Sequence, residues 1–372
     1  MDKMKKKNSL KLRIAIILGT RPEIIKLSPI IRECQKRHLD FFILHTNQHY
    51  AHFLDQLFFD ELGLPQPKYN LNIGSASHAK QSAEMLCGIE KILLEENPNI
   101  ILVQGDTNTV LAGALAAAKL HIKAGHIEAG LRSYDKTMPE EINRILADHC
   151  CDFAFAPTPM AGKILIKEGL CKKNIFITGN TIVDAVLQNI GIAQKKSNIL
   201  QKLGIQGKNF ALLTCHRPEN TDNPQRLINI FEGINQFSIK NDIEVIFPVH
   251  PRTAKTMAEK NILCPGSIKI IEPVGFSDFL VLEKNAKLIF TDSGGVQEEA
   301  CILRVPCVTM RNNTERPETI KVKANIIAGT DPKKILSCAQ KMMAQKITWA
   351  NPFGNGTAAQ KILAILEKNI SR

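Results

Sequence analysis

The sequence predicts a parallel α/β protein folded as two domains. Short apolar runs alternate with amphipathic stretches of helical period along the chain, the pattern of sheets covered by helices. Its 372 residues are too many for one ordinary core and suit two. The second half also restarts the scheme of the first. One half opens with an apolar run into Gly19-Thr20-Arg21-Pro22-Glu23, the other with an apolar run into Cys215-His216-Arg217-Pro218-Glu219. Later, Leu102-Val103-Gln104-Gly105-Asp106-Thr107 is echoed by Leu288-Ile289-Phe290-Thr291-Asp292-Ser293.

Taken in order, the run 13–18 ends in a Gly-Thr turn and reads as a buried strand. A helix follows at 22–36, with Pro22 at its first position, where the missing N–H costs nothing. Apolar runs at 41–46, 100–104, 124–127, 153–156 and 175–178 supply the other strands of the first domain. Helical periodicity at 78–96, 109–119, 140–149 and 160–168 supplies the connections between them. The second domain takes strands at 210–214, 244–248, 268–271, 288–291 and 307–309, and helices at 226–238, 251–261, 277–284, 296–303 and 332–345. A polar stretch at 194–198 breaks the apolar pattern, so the hinge is expected within 184–206. A last amphipathic helix at 357–368 follows a Pro/Gly-rich link and is expected to return to the first domain. The expected domains are 1–190 and 191–355, with 356–372 packing back on the first. Open parallel sheets bind ligands at the carboxyl ends of their strands, where the polar residues of this sequence gather.

Composition removes several function classes. Hydrophobic residues at 44% and charged residues at 23% are ordinary for a soluble globular chain. No apolar run approaches the ~20 residues of a membrane span, and no secretory segment follows the basic N-terminus, so a cytoplasmic protein is expected. The formal charge of +12 would suit nucleic acid, but residues 1–13 hold six Lys/Arg against one Asp. Aromatics are only 5%, with no interleaving of aromatic and basic residues. An anionic small molecule fits better than a nucleic acid. Ten cysteines include no Cys-x-x-Cys, and Cys150-Cys151 are adjacent, which suits neither zinc nor a disulfide. They read as reduced, small core residues.

Four segments carry the chemistry. The first runs from Gly19 to Lys26, from strand into helix: Gly19 allows a tight turn, and the helix N-terminus with Arg21 and Lys26 makes an anion site. It lacks the spacing of a P-loop. Ser293-Gly294-Gly295 repeats that geometry, with two glycines for close approach of a phosphate and Ser293 as a donor. Glu299 falls about one turn into the helix, where it can accept from ribose hydroxyls. A Gly-x-Gly-x-x-Gly is missing after both opening strands, so a nicotinamide or flavin is disfavoured and no cofactor is expected. His216 ends a strand and is placed for a phosphate or for a structural role. The densest polar group comprises 104–107, 125–132 and 139–144. There Asp106 and Glu128 each end an apolar strand, and Glu140 opens a helix, where capping is the alternative role. Three acids among cations suggest proton transfer. His126 with Glu128 lacks a third ligand at convincing spacing, so no metal is expected.

These residues carry a resemblance. From about Leu12 onward the chain resembles the non-hydrolysing UDP-N-acetylglucosamine 2-epimerases. The shared blocks are Gly-Thr-Arg-Pro-Glu-Ile-Ile-Lys (19–26), Gln-Gly-Asp-Thr-Asn-Thr (104–109), Gly-His-Ile-Glu-Ala-Gly-Leu-Arg (125–132) and Pro-Glu-Glu-Ile-Asn-Arg (139–144). Thr-Gly-Asn-Thr-Ile-Val-Asp-Ala (178–185), Thr-Asp-Ser-Gly-Gly-Val-Gln-Glu-Glu (291–299) and Thr-Glu-Arg-Pro-Glu (314–318) complete the set. The resemblance implies the glycosyltransferase-B fold, two Rossmann-like domains facing a central cleft. It also implies a UDP-sugar substrate, a homodimer and a place in cell-surface polysaccharide synthesis. By resemblance Arg21, Lys26, His216, Ser293, Gly294, Gly295, Glu299 and Arg316 bind UDP, with Phe279 near the uracil. Asp106, Glu128 and Glu140 match the acidic catalytic positions, Asp106 and Glu128 also touch substrate, and His216 serves the departing diphosphate. Two departures stand out. Cys215 replaces a glycine of many members. The short loop 133–138 lacks a Pro-Trp element, which leaves open whether substrate also activates the enzyme.

The family's chemistry agrees with this inventory. Breaking the C1–O bond to UDP makes C1 cationic and the C2 hydrogen acidic; one carboxylate removes that proton, and re-addition delivers a proton to the opposite face. The competing readings are an epimerase of a related UDP-sugar such as a diacetamido uronic acid, a glycosyltransferase on the same fold, a hydrolysing epimerase, and a UDP-sugar-binding protein without turnover.

Overall fold

The computed structural model describes residues 12–48 and 58–370, so nearly all of the basic N-terminal tail lies outside it. The chain divides into two compact units, residues 1–185 with 353–372, and residues 186–352.

The first unit contains β1 (Arg13–Leu18), β2 (Asp40–His45), β3 (Tyr69–Asn70), β4 (Ile100–Gln104), β5 (Lys123–Ile127), β6 (Phe153–Ala156) and β7 (Ile175–Ile177). They form one parallel sheet in the order β3-β2-β1-β4-β5-β6-β7. The second unit contains β8 (Phe210–Thr214), β9 (Glu244–Pro248), β10 (Ile268–Ile271), β11 (Leu288–Thr291), β12 (Cys307–Thr309) and β13 (Asn325–Ile327). Its order is β10-β9-β8-β11-β12-β13, again all parallel. Counted from its own first strand, each sheet runs 3-2-1-4-5-6, the first with a seventh strand beyond, in the doubly wound order whose reversal point lies beside the first strand. Helices cover both faces of such a sheet, so its central strands are apolar throughout. Ile14 to Leu18 and Ile100 to Val103 are accordingly fully buried. Ile17, Val103, Met85 and Ile89 belong to the core of the first unit. Phe231, Phe237, Phe247 and Phe290 belong to that of the second.

The expected strands and helices are present, with short elements added and the stretch between the units reassigned. The edge strands β3 and β13 were not anticipated; two and three residues are too few to show a period. The boundary between the units, at residues 185 and 186, falls inside the expected 184–206, but within a helix, Thr181–Lys196, rather than in a linker; the short helix Ile199–Leu203 follows. Ile182, Val183 and Val186 recur at helical spacing there and are buried, while the polar residues that suggested a break lie in the last turn. The helix Ala358–Ile370 belongs to the first unit. The Asp184 carboxylate accepts from the N–H groups of Ala358 and Ala359 at 3.2 and 3.0 Å, and Arg37 reaches Glu367 at 2.7 Å. No helix among the described residues is long and apolar enough to cross a membrane.

Candidate active site

In the first unit the polar residues that end β1, β4, β5 and β7 form one connected group. Glu128 follows β5 and is buried. Its Oε1 takes Lys26 Nζ at 2.6 Å and Asn180 Nδ2 at 2.7 Å, and its Oε2 takes Gln104 Nε2 at 2.6 Å. Its backbone sits at φ 72°, a left-handed conformation that costs a non-glycine residue about 1 kcal/mol and persists where surrounding bonds over-determine it. Asp106 follows β4 through Gly105, whose φ is 91°. A Cβ placed on Gly105 would lie 3.9 Å from Glu128 Oε2, so the turn carrying Asp106 passes directly over Glu128. The Asp106 carboxylate pairs with Arg144, and its carbonyl accepts from Asn143 at 3.0 Å.

Asn143 and Arg144 project from the helix Pro139–Cys150. Glu140 stands one turn before them on the same face and is half-buried. Glu140 is not the cap of that helix: the N-cap is Met138, without a side-chain bond. The buried acid is its neighbour Glu141, which accepts from Ser133 N, Ser133 Oγ and Tyr134 N at 2.9 Å each, and from Arg144 at 2.6 Å.

The turn after β1 differs from expectation. Gly19 is required there, because a Cβ would come within 2.1 Å of Thr46 Oγ1 and 2.2 Å of Thr109 Oγ1. The loop N–H groups expected to receive an external anion are already used. Gly19 N and Thr20 N donate to Glu23 Oε2 at 2.6 and 2.8 Å, and Thr107 Oγ1 donates to Glu23 Oε1. Burial, only partly offset by those neutral donors, pushes Glu23 up to about 7. Lys26, expected at the diphosphate, is the counter-ion of Glu128. Arg21 lies at the start of the helix Arg21–Lys36, its guanidinium 5.3 Å from the Phe58 ring.

In the second unit the corresponding turn follows β8. His216 N and Arg217 N donate to the Asp292 carboxylate at 3.0 to 3.1 Å, Asn220 Nδ2 adds a bond at 3.1 Å, and His216 Nδ1 lies 3.3 Å away. Burial, reinforced by Arg217, Arg311 and Arg252, outweighs Asp292 and lowers the His216 imidazole below its ordinary value. Ser293 then opens the helix Gly294–Leu303 without capping it, so the first-turn N–H groups are left without a side-chain acceptor. Beside it, a Cβ on Gly294 would lie 3.9 Å from Arg316 Cζ. Arg316 is buried and paired with Glu298 at 2.7 Å. Its neighbour Glu315 is bound by Arg311 at 2.9 and 3.0 Å. Burial alone would raise Glu315, but Arg311, Arg316 and Arg217 hold it well below the usual carboxylate range. Glu299 is buried against Glu283, whose carboxyl is pushed well above the carboxylate range by burial and then by Glu299. Phe279 is half-buried on the helix Phe276–Asn285.

The structure thus gathers Asp106, Glu128, Lys26 and the first turn of Glu140's helix in one unit, and His216, Ser293, Gly294, Gly295 and Arg316 in the other. Residues that sequence reasoning left without a role are Glu23, Gln104, Asn180, Arg144 and Asp292. Each sits inside a motif block at a strand end or on a helix turn, the one signal that could have found them.

Two doubly wound sheets, one ending in acids and the other in a glycine-rich, cation-flanked helix N-terminus, are the two halves of a glycosyltransferase-B type of fold. The profile of the family described as UDP-N-acetylglucosamine 2-epimerase matches residues 32–367, and the chain belongs to that family. A UDP-N-acetylglucosamine 2-epimerase of Methanocaldococcus jannaschii is 55% identical over 361 residues, covering 95% of this chain and 99% of the relative. The crystal structure of the M. jannaschii enzyme in complex with UDP-GlcNAc and UDP matches with a TM-score of 0.91 at 55% identity, over 96% of this chain and 100% of that one. A UDP-2,3-diacetamido-2,3-dideoxy-D-glucuronate 2-epimerase of Pseudomonas aeruginosa is 39% identical, covering 96% of this chain and all of the relative. The chain is an isomerase of the UDP-sugar 2-epimerase kind.

Proposed function

We propose that this chain interconverts UDP-N-acetylglucosamine and UDP-N-acetylmannosamine by inverting C2 without net hydrolysis. The observation that carries the reading is Glu128, a buried carboxylate held by Lys26, Gln104 and Asn180 beneath the turn that presents Asp106. A buried acid with a fixed cation and a second acid next to it is suited to moving one proton. The relative that was crystallised with UDP-GlcNAc and UDP supplies the substrate.

In this reading the second unit holds the nucleotide. Ser293, Gly294 and Gly295 offer backbone and hydroxyl donors to the diphosphate, Arg316 and His216 add charge or a proton, Glu299 accepts from the ribose, and Phe279 lies by the uracil. The C1–O bond breaks with its electron pair leaving on UDP. A carboxylate takes the C2 proton, and the C–H pair becomes the C1–C2 double bond of the glycal. UDP then re-adds to C1 while a proton arrives at the other face of C2. Asp106, Glu128 and Glu140 supply the acid and base on the two faces. The enzyme works as a homodimer in the cytoplasm; its ten free cysteines fit a reducing compartment, and Ile142 and Leu146, exposed one turn apart on the helix Pro139–Cys150, are candidates for a covered face.

A second reading keeps the chemistry and changes the sugar to a diacetamido uronate, favoured by the P. aeruginosa relative. NMR in D₂O decides. Incubation with UDP-N-acetylglucosamine is expected to place deuterium at C2 and yield both epimers with UDP retained. Net release of UDP and free N-acetylmannosamine, or inertness while the uronate turns over, would replace this function.

A further inference from the structure

His126 and Asp148 have no part in the chemistry above, yet both are completely buried, on β5 and on the helix Pro139–Cys150. His126 Nδ1 lies 2.6 Å from Asp148 Oδ1, and Nε2 lies 2.8 Å from the carbonyl oxygen of Gly105. A carboxylate and a carbonyl only accept, so both ring nitrogens donate. The other Asp148 oxygen takes Gly130 N at 3.1 Å and the Arg132 guanidinium at 2.6 Å; Arg132 Nε in turn bonds Glu168 at 2.9 Å.

The placement of these bonds gives them a function. Gly105 is the turn that carries Asp106, and its N–H donates to Ile127 O at 3.1 Å. Both backbone polar groups of Gly105 are therefore fastened by β5, the N–H by a backbone carbonyl and the carbonyl by the His126 ring. Asp148 holds Gly130 at the same time, two residues past Glu128. One ion pair thus fixes the two turns that bear the two acids.

We propose that His126 and Asp148 form a positioning dyad, in which a doubly donating imidazole locks the Gly105 turn and sets Asp106 against Glu128 for proton transfer at C2. The proposal rests on the epimerase reading. The charged groups facing the ring are Asp148 from the helix and Arg132 from the loop after β5, with Glu168 behind Arg132. Burial and Arg132 act against the second ring proton; Asp148 and the Gly105 carbonyl outweigh them and raise the imidazole overall. In Asp148→Asn the amide oxygen stays with Gly130 N and Arg132, so the amide NH₂ faces Nδ1, and a neutral ring with its proton on Nε2 still donates to the Gly105 carbonyl. His126→Phe fills the place of the ring without a donor, and the turn loosens.

The test has two arms. In the wild-type protein labelled with ¹⁵N-histidine, the His126 ring, assigned by its absence in His126→Asn, is expected to show both nitrogens protonated at pH 8. A neutral tautomer there overturns the proposal. In His126→Phe, kcat is expected to fall at least about tenfold at pH 8, the scale of a displaced catalytic group, while Asp148→Asn, whose ring still donates to Gly105, is expected to lose less than about threefold. KM and the dissociation constant for UDP are expected to stay within about twofold. Equal losses in the two variants, or a loss carried by UDP affinity, would mean a purely structural role and overturn the dyad; the wild-type ring spectrum decides alone where His126→Phe does not fold. Inertness of the wild type toward UDP-N-acetylglucosamine would instead sink the epimerase reading, since the spectrum is read without substrate.

Discussion

The two units put the same strand order to opposite uses. After β1, and again after β8, the loop N–H groups are bonded to a carboxylate of the chain itself, Glu23 in one unit and Asp292 in the other. Glu23 is surrounded by neutral donors and is pushed up to about 7, while Asp292 lies beside His216. The cations diverge as well. In the first unit Lys26 and Arg144 are committed to Glu128 and Asp106. In the second, the helix Gly294–Leu303 keeps an uncapped N-terminus next to Arg316. Topology sets where a site can form; on the proposed function, the side chains at the strand ends fit one unit to move protons and the other to hold an anion.

That contrast breaks first at the acids. Asp106→Asn, Glu128→Gln and Glu140→Gln are each expected to lower kcat at least ~10²-fold, with UDP affinity by calorimetry altered less than about threefold. Wild-type-like turnover in all three removes the division of labour. The mirror experiment is smaller. Glu299→Gln and Arg316→Lys are expected to weaken UDP about tenfold, the scale of one charged hydrogen bond, and to leave kcat at saturation within about threefold. A kcat loss at unchanged affinity would exchange the roles of the units.

Smaller still is the effect of pH on binding. The His216 imidazole is lowered in the free protein, so a diphosphate that raises it takes up a proton on binding. Affinity for UDP-N-acetylglucosamine is then expected to strengthen as pH falls, by at most about tenfold per unit, and to level off below the free value. His216→Asn should flatten the profile; equal slopes in the two proteins would separate His216 from the diphosphate.

The least effect on turnover, but a contrast in sign, is expected at the two loop carboxylates. Folded Glu23 keeps its proton to about pH 7. Unfolded, it releases the proton near 4.5, so the native state binds more protons in that window and loses stability as pH rises through it. Urea unfolding at pH 8 should find Glu23→Gln more stable than wild type by about 2 kcal/mol, with no gain at pH 4.5. Asp292→Asn, which forfeits charged hydrogen bonds, should lose about 1–3 kcal/mol. Parallel behaviour of the pair would erase the distinction between the turns.

Much of this was legible beforehand. The central strands are apolar runs bounded by turn residues, and the acids Asp106 and Glu128 end two of them, so their adjacency could be foreseen. The helix Thr181–Lys196 was obscured because its polar last turn resembles a linker, although Ile182, Val183 and Val186 already carried the period. The partners of the acids were not legible. Lys26 and Glu128 are 102 positions apart, and nothing in one dimension distinguishes a lysine bound for a carboxylate from one bound for a phosphate. Glu23 was hidden for a related reason: a glutamate one turn into a helix is ordinary, and only the tight Gly19 turn brings its carboxylate back onto the loop.

The helix Ala358–Ile370, capped by Asp184 and tied by Glu367 to Arg37, makes the second unit an insertion within the first. During synthesis, residues 186–352 have left the ribosome and can assemble before the segment that finishes the older neighbour exists. The acid-bearing half is begun first and completed last, and a nascent chain stalled ahead of Ala358 would carry a finished second unit and an unfinished first one.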